Sequence, residues 1–132
     1  MSAFIDTNVF IAYFNKRDFH HNRAFRLMQK LEGGEYGEIY ISDYVFSEVV
    51  TVIALRTNFE KAIDVGNLLL ETDITVLRVD EEVFDDAWKI FQTAEMSFTD
   101  CTITSMVKLL KIERLATFDE GFKKFNWLEI IE

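Results

Sequence analysis

Five short apolar runs, at residues 3–5, 38–41, 75–79, 115–118 and 128–131, are separated by longer stretches whose apolar residues recur every three or four positions. Short runs rich in β-branched and aromatic residues read as strands, and the longer period reads as helix. This alternation constrains the fold more than any other feature. Parallel strands need a crossover of a dozen or more residues between them, usually a helix, and a sheet built this way is buried on both faces. The expectation is an α/β domain with a mainly parallel sheet of about five strands and helices on both faces. Residues 1–132 contain no repeat, low-complexity segment or internal linker, so one domain is expected. The chain has no proline to punctuate its elements.

The helical stretches can be placed from their apolar period and capping residues. Phe10 and Phe14 are four apart after the first run. Ala24, Leu27, Met28 and Leu31 form a second stripe that stops at Gly33-Gly34. Ser42-Asp43 can cap a helix reaching about Arg56, and Asn58 can cap the next, with Phe59, Ala62, Ile63, Gly66, Leu69 and Leu70 in period. Asp80 opens an acidic amphipathic helix with Val83, Phe84, Ala87, Trp88 and Phe91 inward. Ser97 or Thr99 caps a last one carrying Ile103, Val107 and Leu110, and a short helical turn follows Asp119.

Four acids sit on or beside these apolar elements. Asp6 follows the first strand directly, and Asp119 follows the fourth; each is also a good helix cap, a role that contributes about 1 kcal/mol. Asp100 lies in the first turn of its helix, where the dipole favours an anion and Ser97 three residues earlier makes part of a capping box. Glu48 has no such role. It falls within the stripe of Val45, Val52 and Leu55, too deep in its helix to cap, and either reaches solvent from the stripe edge or is buried for a purpose.

All four fall at the same edge of the expected sheet, the C-terminal ends of the strands, where α/β folds bind ligands. Two carboxylates about 6 Å apart repel by about 3 kcal/mol at an effective dielectric of 20. Mg²⁺ or Mn²⁺, hard cations that prefer carboxylate oxygens, can neutralise such a cluster and can activate water for phosphodiester cleavage. Other chemistries fit less well. An aspartyl-phosphate phosphatase needs an Asp two residues after Asp6, where Asn8 stands. The metal-dependent adhesion motif needs hydroxyls where Asn8 and Phe10 stand. The five glycines form no phosphate-binding loop. Zinc is disfavoured by one cysteine and an adjacent His20-His21 pair, read as solvent-exposed.

The net charge of −9 argues against a general nucleic-acid coating protein. The charge is uneven, however. Residues 71–86 hold seven acids against Arg78, whereas residues 16–30 hold Lys16, Arg17, Arg23, Arg26 and Lys30 against Asp18. Arg23, Arg26 and Lys30 share one helical face and could guide phosphates, or could be an ordinary solvated surface. The single Cys101 excludes an intramolecular disulfide and suits a reducing, cytoplasmic setting. No apolar stretch is long enough to cross a bilayer, and the N-terminus lacks the basic region of a signal peptide. Thirteen phenylalanines exceed what one small core easily hides, so some of Phe10, Tyr13, Phe14, Phe19 and Phe46 could line a partner surface.

With these residues placed, the chain resembles a PIN domain, and more narrowly a VapC-type toxin of prokaryotic toxin–antitoxin pairs. The matching segments are Phe4-Ile5-Asp6-Thr7-Asn8, Ser47-Glu48-Val49-Val50, Ser97-Phe98-Thr99-Asp100-Cys101 and Ala116-Thr117-Phe118-Asp119-Glu120-Gly121-Phe122. The resemblance covers essentially the whole chain. It implies a three-layer α/β/α fold and a Mg²⁺- or Mn²⁺-dependent endoribonuclease. Asp6, Glu48, Asp100 and Asp119 would hold the metal and position the attacking water, with Thr7, Asn8 and Thr117 as hydrogen-bonding partners behind them. It also implies a homodimer and a small antitoxin that silences the enzyme. Many relatives carry a further acid just before the Asp100 equivalent, where this chain has Met96 and Ser97. The alternatives are a PIN-type RNA-processing or decay nuclease without antitoxin, and a non-catalytic PIN-like interaction module; the presence of all four acids disfavours the latter.

Overall fold

The computed structural model describes residues 1–132. Five strands form one sheet: β1 (Ser2–Ile5), β2 (Glu38–Ser42), β3 (Thr75–Leu77), β4 (Arg114–Ala116) and β5 (Glu129–Ile131). Their spatial order is β3-β2-β1-β4-β5, and every neighbouring pair is parallel. The expected "mainly parallel" sheet is therefore parallel throughout. The six helices are α1 (Thr7–Phe14), α2 (His21–Glu32), α3 (Asp43–Arg56), α4 (Phe59–Glu71), α5 (Glu81–Ala94) and α6 (Phe98–Leu109). A 3-10 turn, Glu120–Lys124, joins β4 to β5.

The strand order reverses at β1. From β1 the chain steps outward to β2 and β3 through α1–α4, then crosses back by α5 and α6 to β4 on the other side. Right-handed crossovers in opposite directions place the two helix sets on opposite faces. The β1 residues fit this arrangement: Ala3, Phe4 and Ile5 alternate between the faces and all are fully buried. The main core gathers Phe4, Phe10, Ile41, Val45, Ile103, Met106, Leu115 and Phe122 around that strand. Burying each large apolar side chain contributes roughly 1.5–3 kcal/mol, enough for β1 and its neighbours to tolerate an unfavourable residue at the strand end.

Capping matches the chemistry of the sequence. Ser42, Asn58, Asp80 and Ser97 each accept a first-turn backbone N–H, so Ser97 rather than Thr99 caps α6. Two strands, β3 and β4, end earlier than their apolar runs. β3 stops at Leu77, and the Val79 N–H donates to Asp43 Oδ1 at 3.0 Å instead of extending the ladder. β4 stops at Ala116, and the Phe118 N–H turns to Asn8 Oδ1 at 3.2 Å. In both places a side chain at the sheet's C-terminal edge captures the backbone donor, a competition that apolar periodicity does not register. No helix is long and apolar enough to cross a membrane.

Candidate active site

β1 and β4 are neighbours whose outgoing connections diverge, which makes their C-terminal ends the switch point of the sheet. Asp6 stands at the end of β1, fixed by its own N–H bonding to Ala116 O at 2.9 Å. Its carboxylate takes three hydrogen bonds. Oδ1 accepts from the Thr7 N–H at 2.7 Å, and Oδ2 accepts from the Thr117 hydroxyl at 2.8 Å and from Asn8 Nδ2 at 3.2 Å. Thr117 Oγ1 in turn accepts from Asn8 Nδ2 at 3.2 Å and from the Asp119 N–H at 3.0 Å. A closed polar network thus joins the ends of β1 and β4. Thr7 serves it through its backbone; its hydroxyl is buried with no partner.

Asp119 begins the 3-10 turn, its Oδ1 accepting from the Gly121 N–H at 2.8 Å, with the side chain directed toward the same space. Asp100 is held in the first turn of α6, where Ser97 Oγ accepts the Asp100 N–H at 3.1 Å. The capping roles open to Asp6 and Asp119 in the sequence are real, and they coexist with a shared location; at α6 the cap is Ser97, and the Asp100 carboxylate bonds no backbone N–H. Glu48, in the second turn of α3, has neither a hydrogen bond nor an ion pair holding it. Asp6, Glu48, Asp100 and Asp119 together line one cavity of about 380 Å³, with Thr7, Asn8 and Ser97.

Electrostatics tie the four together. Burial pushes the Asp6 carboxyl up to about 7, and the charges of Asp100 and Glu48 add to the push against the Thr117 and Thr7 hydrogen bonds. Burial also raises Asp100, to about 6, assisted by Asp119 and Glu48 and opposed by Ser97. Both shifts favour the uncharged form, as expected for carboxyls crowded in a low-dielectric setting without a cation. No three acidic side chains are drawn together closely enough to hold an ion as they stand. The donor set nevertheless fits a hard divalent cation: four carboxylates facing one polar cavity, no thiolate, and the orphaned Thr7 hydroxyl beside them.

The same cavity includes residues that sequence reasoning did not select. His20 lines it, stacked on Phe118 with centroids 4.9 Å apart, and Arg23 Nη1 lies 2.9 Å from His20 Nδ1. Arginine can only donate, so His20 accepts at Nδ1 and carries its proton on Nε2. His21 Nδ1 bonds Ala12 O at 2.8 Å. The histidine pair expected at the surface is therefore half-buried and specifically held, because ring stacking and a free carbonyl compete with solvent. Asp18 and Arg56 complete the wall. Arg56 could have been found: it continues the row Glu48, Val52, Arg56 at four-residue steps along α3.

The three cations of α2 are not equivalent. Arg23 lies over Phe118 at 4.8 Å and pairs with Glu132 at 3.3 Å, beside the cavity. Arg26 and Lys30 are exposed farther along α2. At 1.5 Å rise per residue, Lys30 is about 10 Å beyond Arg23 along the axis.

A strand-end Asp hydrogen-bonded to a Thr at the end of the neighbouring strand, with Glu48 and Asp100 facing the same cavity from two helices, is the arrangement expected of a PIN domain. Residues 3–128 match the PIN domain family, and the chain belongs to it. It is similar to a VapC ribonuclease of Archaeoglobus fulgidus, 24% identical over 128 residues that span 92% of this chain and 80% of the relative. Among solved structures it resembles Mycobacterium tuberculosis VapC20, described as a sarcin-ricin loop cleaving toxin, with a TM-score of 0.85, 23% identity, and 98% and 99% of the two chains covered. It also resembles a chain in a toxin–antitoxin complex from Klebsiella pneumoniae, with a TM-score of 0.68, 14% identity, and coverage of 98% and 96%.

Proposed function

We propose that the chain is a metal-dependent endoribonuclease and the toxin of a toxin–antitoxin pair. The observation that carries the reading is the convergence of Asp6, Glu48, Asp100 and Asp119, from four separate segments, on one cavity at the sheet's switch point. These residues would hold Mg²⁺ or Mn²⁺. Such an ion, when bound, neutralises the carboxylates, activates water and stabilises the leaving oxygen of a phosphodiester.

The chain's own groups have distinct tasks. Thr117, Asn8 and the Thr7 N–H fix both oxygens of Asp6, so that carboxylate is preorganised. The Gly121 N–H orients Asp119, and Ser97 fixes the backbone that carries Asp100. Glu48, unheld, can turn toward a ligand or accept a proton from water. RNA is favoured as substrate because the A. fulgidus relative is named a ribonuclease and the M. tuberculosis relative a sarcin-ricin loop cleaving toxin. Arg23, Arg26 and Lys30 are proposed to lead the RNA along α2 toward the acids.

Two exposed apolar surfaces support partners. One is a groove of about 410 Å³ between α3 and α4, walled by Phe46, Val50, Leu55, Phe59, Ile63 and Leu70. The other is the face of α5 bearing Phe84, Trp88 and Phe91, which are exposed rather than inward as expected, only Val83 and Ala87 of that stripe being buried. A homodimer and a small antitoxin are the proposed occupants. Phe10, by contrast, is wholly core.

RNA cleavage with Mg²⁺ or Mn²⁺ tests the mechanism. Asp6→Asn should lower the rate by at least about a hundredfold, and EDTA should abolish cleavage by the parent. Equal cleavage by the variant, or cleavage that survives EDTA, refutes the four-carboxylate mechanism.

A further inference from the structure

Beside the acidic cavity lies a second one of about 400 Å³ with the opposite character. Its polar wall is Asn15, Arg17, Arg56, Thr57 and Lys61, and its apolar floor includes Ile11 and Val52. No acid lines it, on a chain whose net charge is −9. Ile11, Val52 and Arg56 line both cavities, so the two adjoin.

The three cations come from three segments: the loop after α1, the last turn of α3 and the first turn of α4. Neither Arg17 nor Arg56 is in an ion pair, whereas Arg23 and Arg114 are. Lys61 is anchored by its Nζ donating to Phe14 O at 2.9 Å, which leaves two ammonium hydrogens for a ligand. Asn15 spends its Oδ1 on the Arg17 N–H at 3.1 Å, leaving its amide hydrogens free. The N-terminus of α4, capped by Asn58, adds a favourable dipole. The wall is thus a set of donors and positive charges with no acceptor of comparable strength, a composition suited to a phosphate.

We propose that the Arg17–Arg56–Lys61 cavity binds a phosphate of the RNA backbone flanking the one being cut. The placement follows α3. Glu48 and Arg56 lie on one row, about 12 Å apart along the axis, so a strand held at the carboxylates passes over the basic cavity next. The arrangement answers the chief electrostatic difficulty of the site, which is that a polyanion must come to rest on four carboxylates. It rests on the ribonuclease reading above.

The test is equilibrium binding of a fluorescein-labelled single-stranded RNA to the Asp6→Asn chain in MgCl₂, titrated with KCl. Arg17→Ala/Arg56→Ala is compared with Lys111→Glu, in the turn at the opposite edge of the sheet. Both changes make the net charge more negative by two units, so bulk electrostatics are matched. The double variant should lose about tenfold in affinity at low salt, and its salt slope should fall by about 0.7 for each phosphate no longer neutralised. Lys111→Glu should change both far less. Thermal melting of each variant separates lost binding from lost fold; if the double variant melts early, Arg56→Lys must restore part of the affinity. Equal losses in the double variant and Lys111→Glu overturn the subsite. So does unchanged binding in the double variant, which assigns the cavity to solvent or to an acidic protein partner. If the parent neither binds nor cleaves RNA, the ribonuclease reading itself falls, and the subsite with it.

Discussion

At Asp6, function and stability oppose each other. The carboxylate accepts three hydrogen bonds, yet burial and neighbouring acids hold its titration near 7 rather than at the ordinary 3.8. The folded chain without metal therefore keeps a proton there that the unfolded chain releases at lower pH. From about pH 4 to about 7 the native state binds more protons, so stability falls as pH rises through that window; Asp100, raised to about 6, acts in the same direction. Asp6→Asn removes the larger part of this dependence. In EDTA, chemical denaturation from pH 4.5 to 7.5 should show the variant gaining on the parent as pH rises, by on the order of 2–4 kcal/mol. A stability difference that does not change with pH would mean that Asp6 is not strained by burial.

The individual elements follow local rules closely, and their departures have local causes. The helix caps are legible because Ser, Asn and Asp stand at the helix starts. The early ends of β3 and β4 are not, because Asp43 and Asn8 take their backbone donors from distant positions in sequence. Gly37, just before β2, has φ +77, and a Cβ there would meet the Met1 carbonyl oxygen at 2.2 Å. That carbonyl accepts the Glu38 N–H at 3.2 Å and sets the register of β1 on β2. Gly37→Ala should therefore lower stability by about 2 kcal/mol or more in urea unfolding. Gly34→Ala, at φ +81 but facing open space, should lose only about 1 kcal/mol. Similar losses at both positions would show that the close approach to Met1 is relieved by adjustment.

Across the whole molecule, charge and apolar surface are sorted into separate regions. Acids crowd the cavity at the switch point, cations gather beside it, and exposed apolar rows occupy α3–α4 and α5. Trp88, about half exposed on α5 with Phe84 and Phe91 flanking it, belongs to a face that water covers poorly in a lone chain. Light scattering should return twice the mass of the chain, and Trp88→Asp should shift it toward the monomer. A monomeric parent at high concentration would remove the homodimer from the proposed function.

Apolar period and capping chemistry act over a few residues, so the alternation of strand and helix, and with it a sheet buried on both faces, could be read from the order of residues alone. The same reading marked Asp6, Glu48, Asp100 and Asp119 as acids in unfavourable places. The alternation also set them at one edge of the expected sheet; the cavity they share, and its walls, depend on strand order, which sets whose C-terminal ends are neighbours. Folding alone brought His20 onto Phe118 and assembled Arg17, Arg56 and Lys61 from three segments. Such meetings depend on how crossovers pack, and no local window of the chain carries that information.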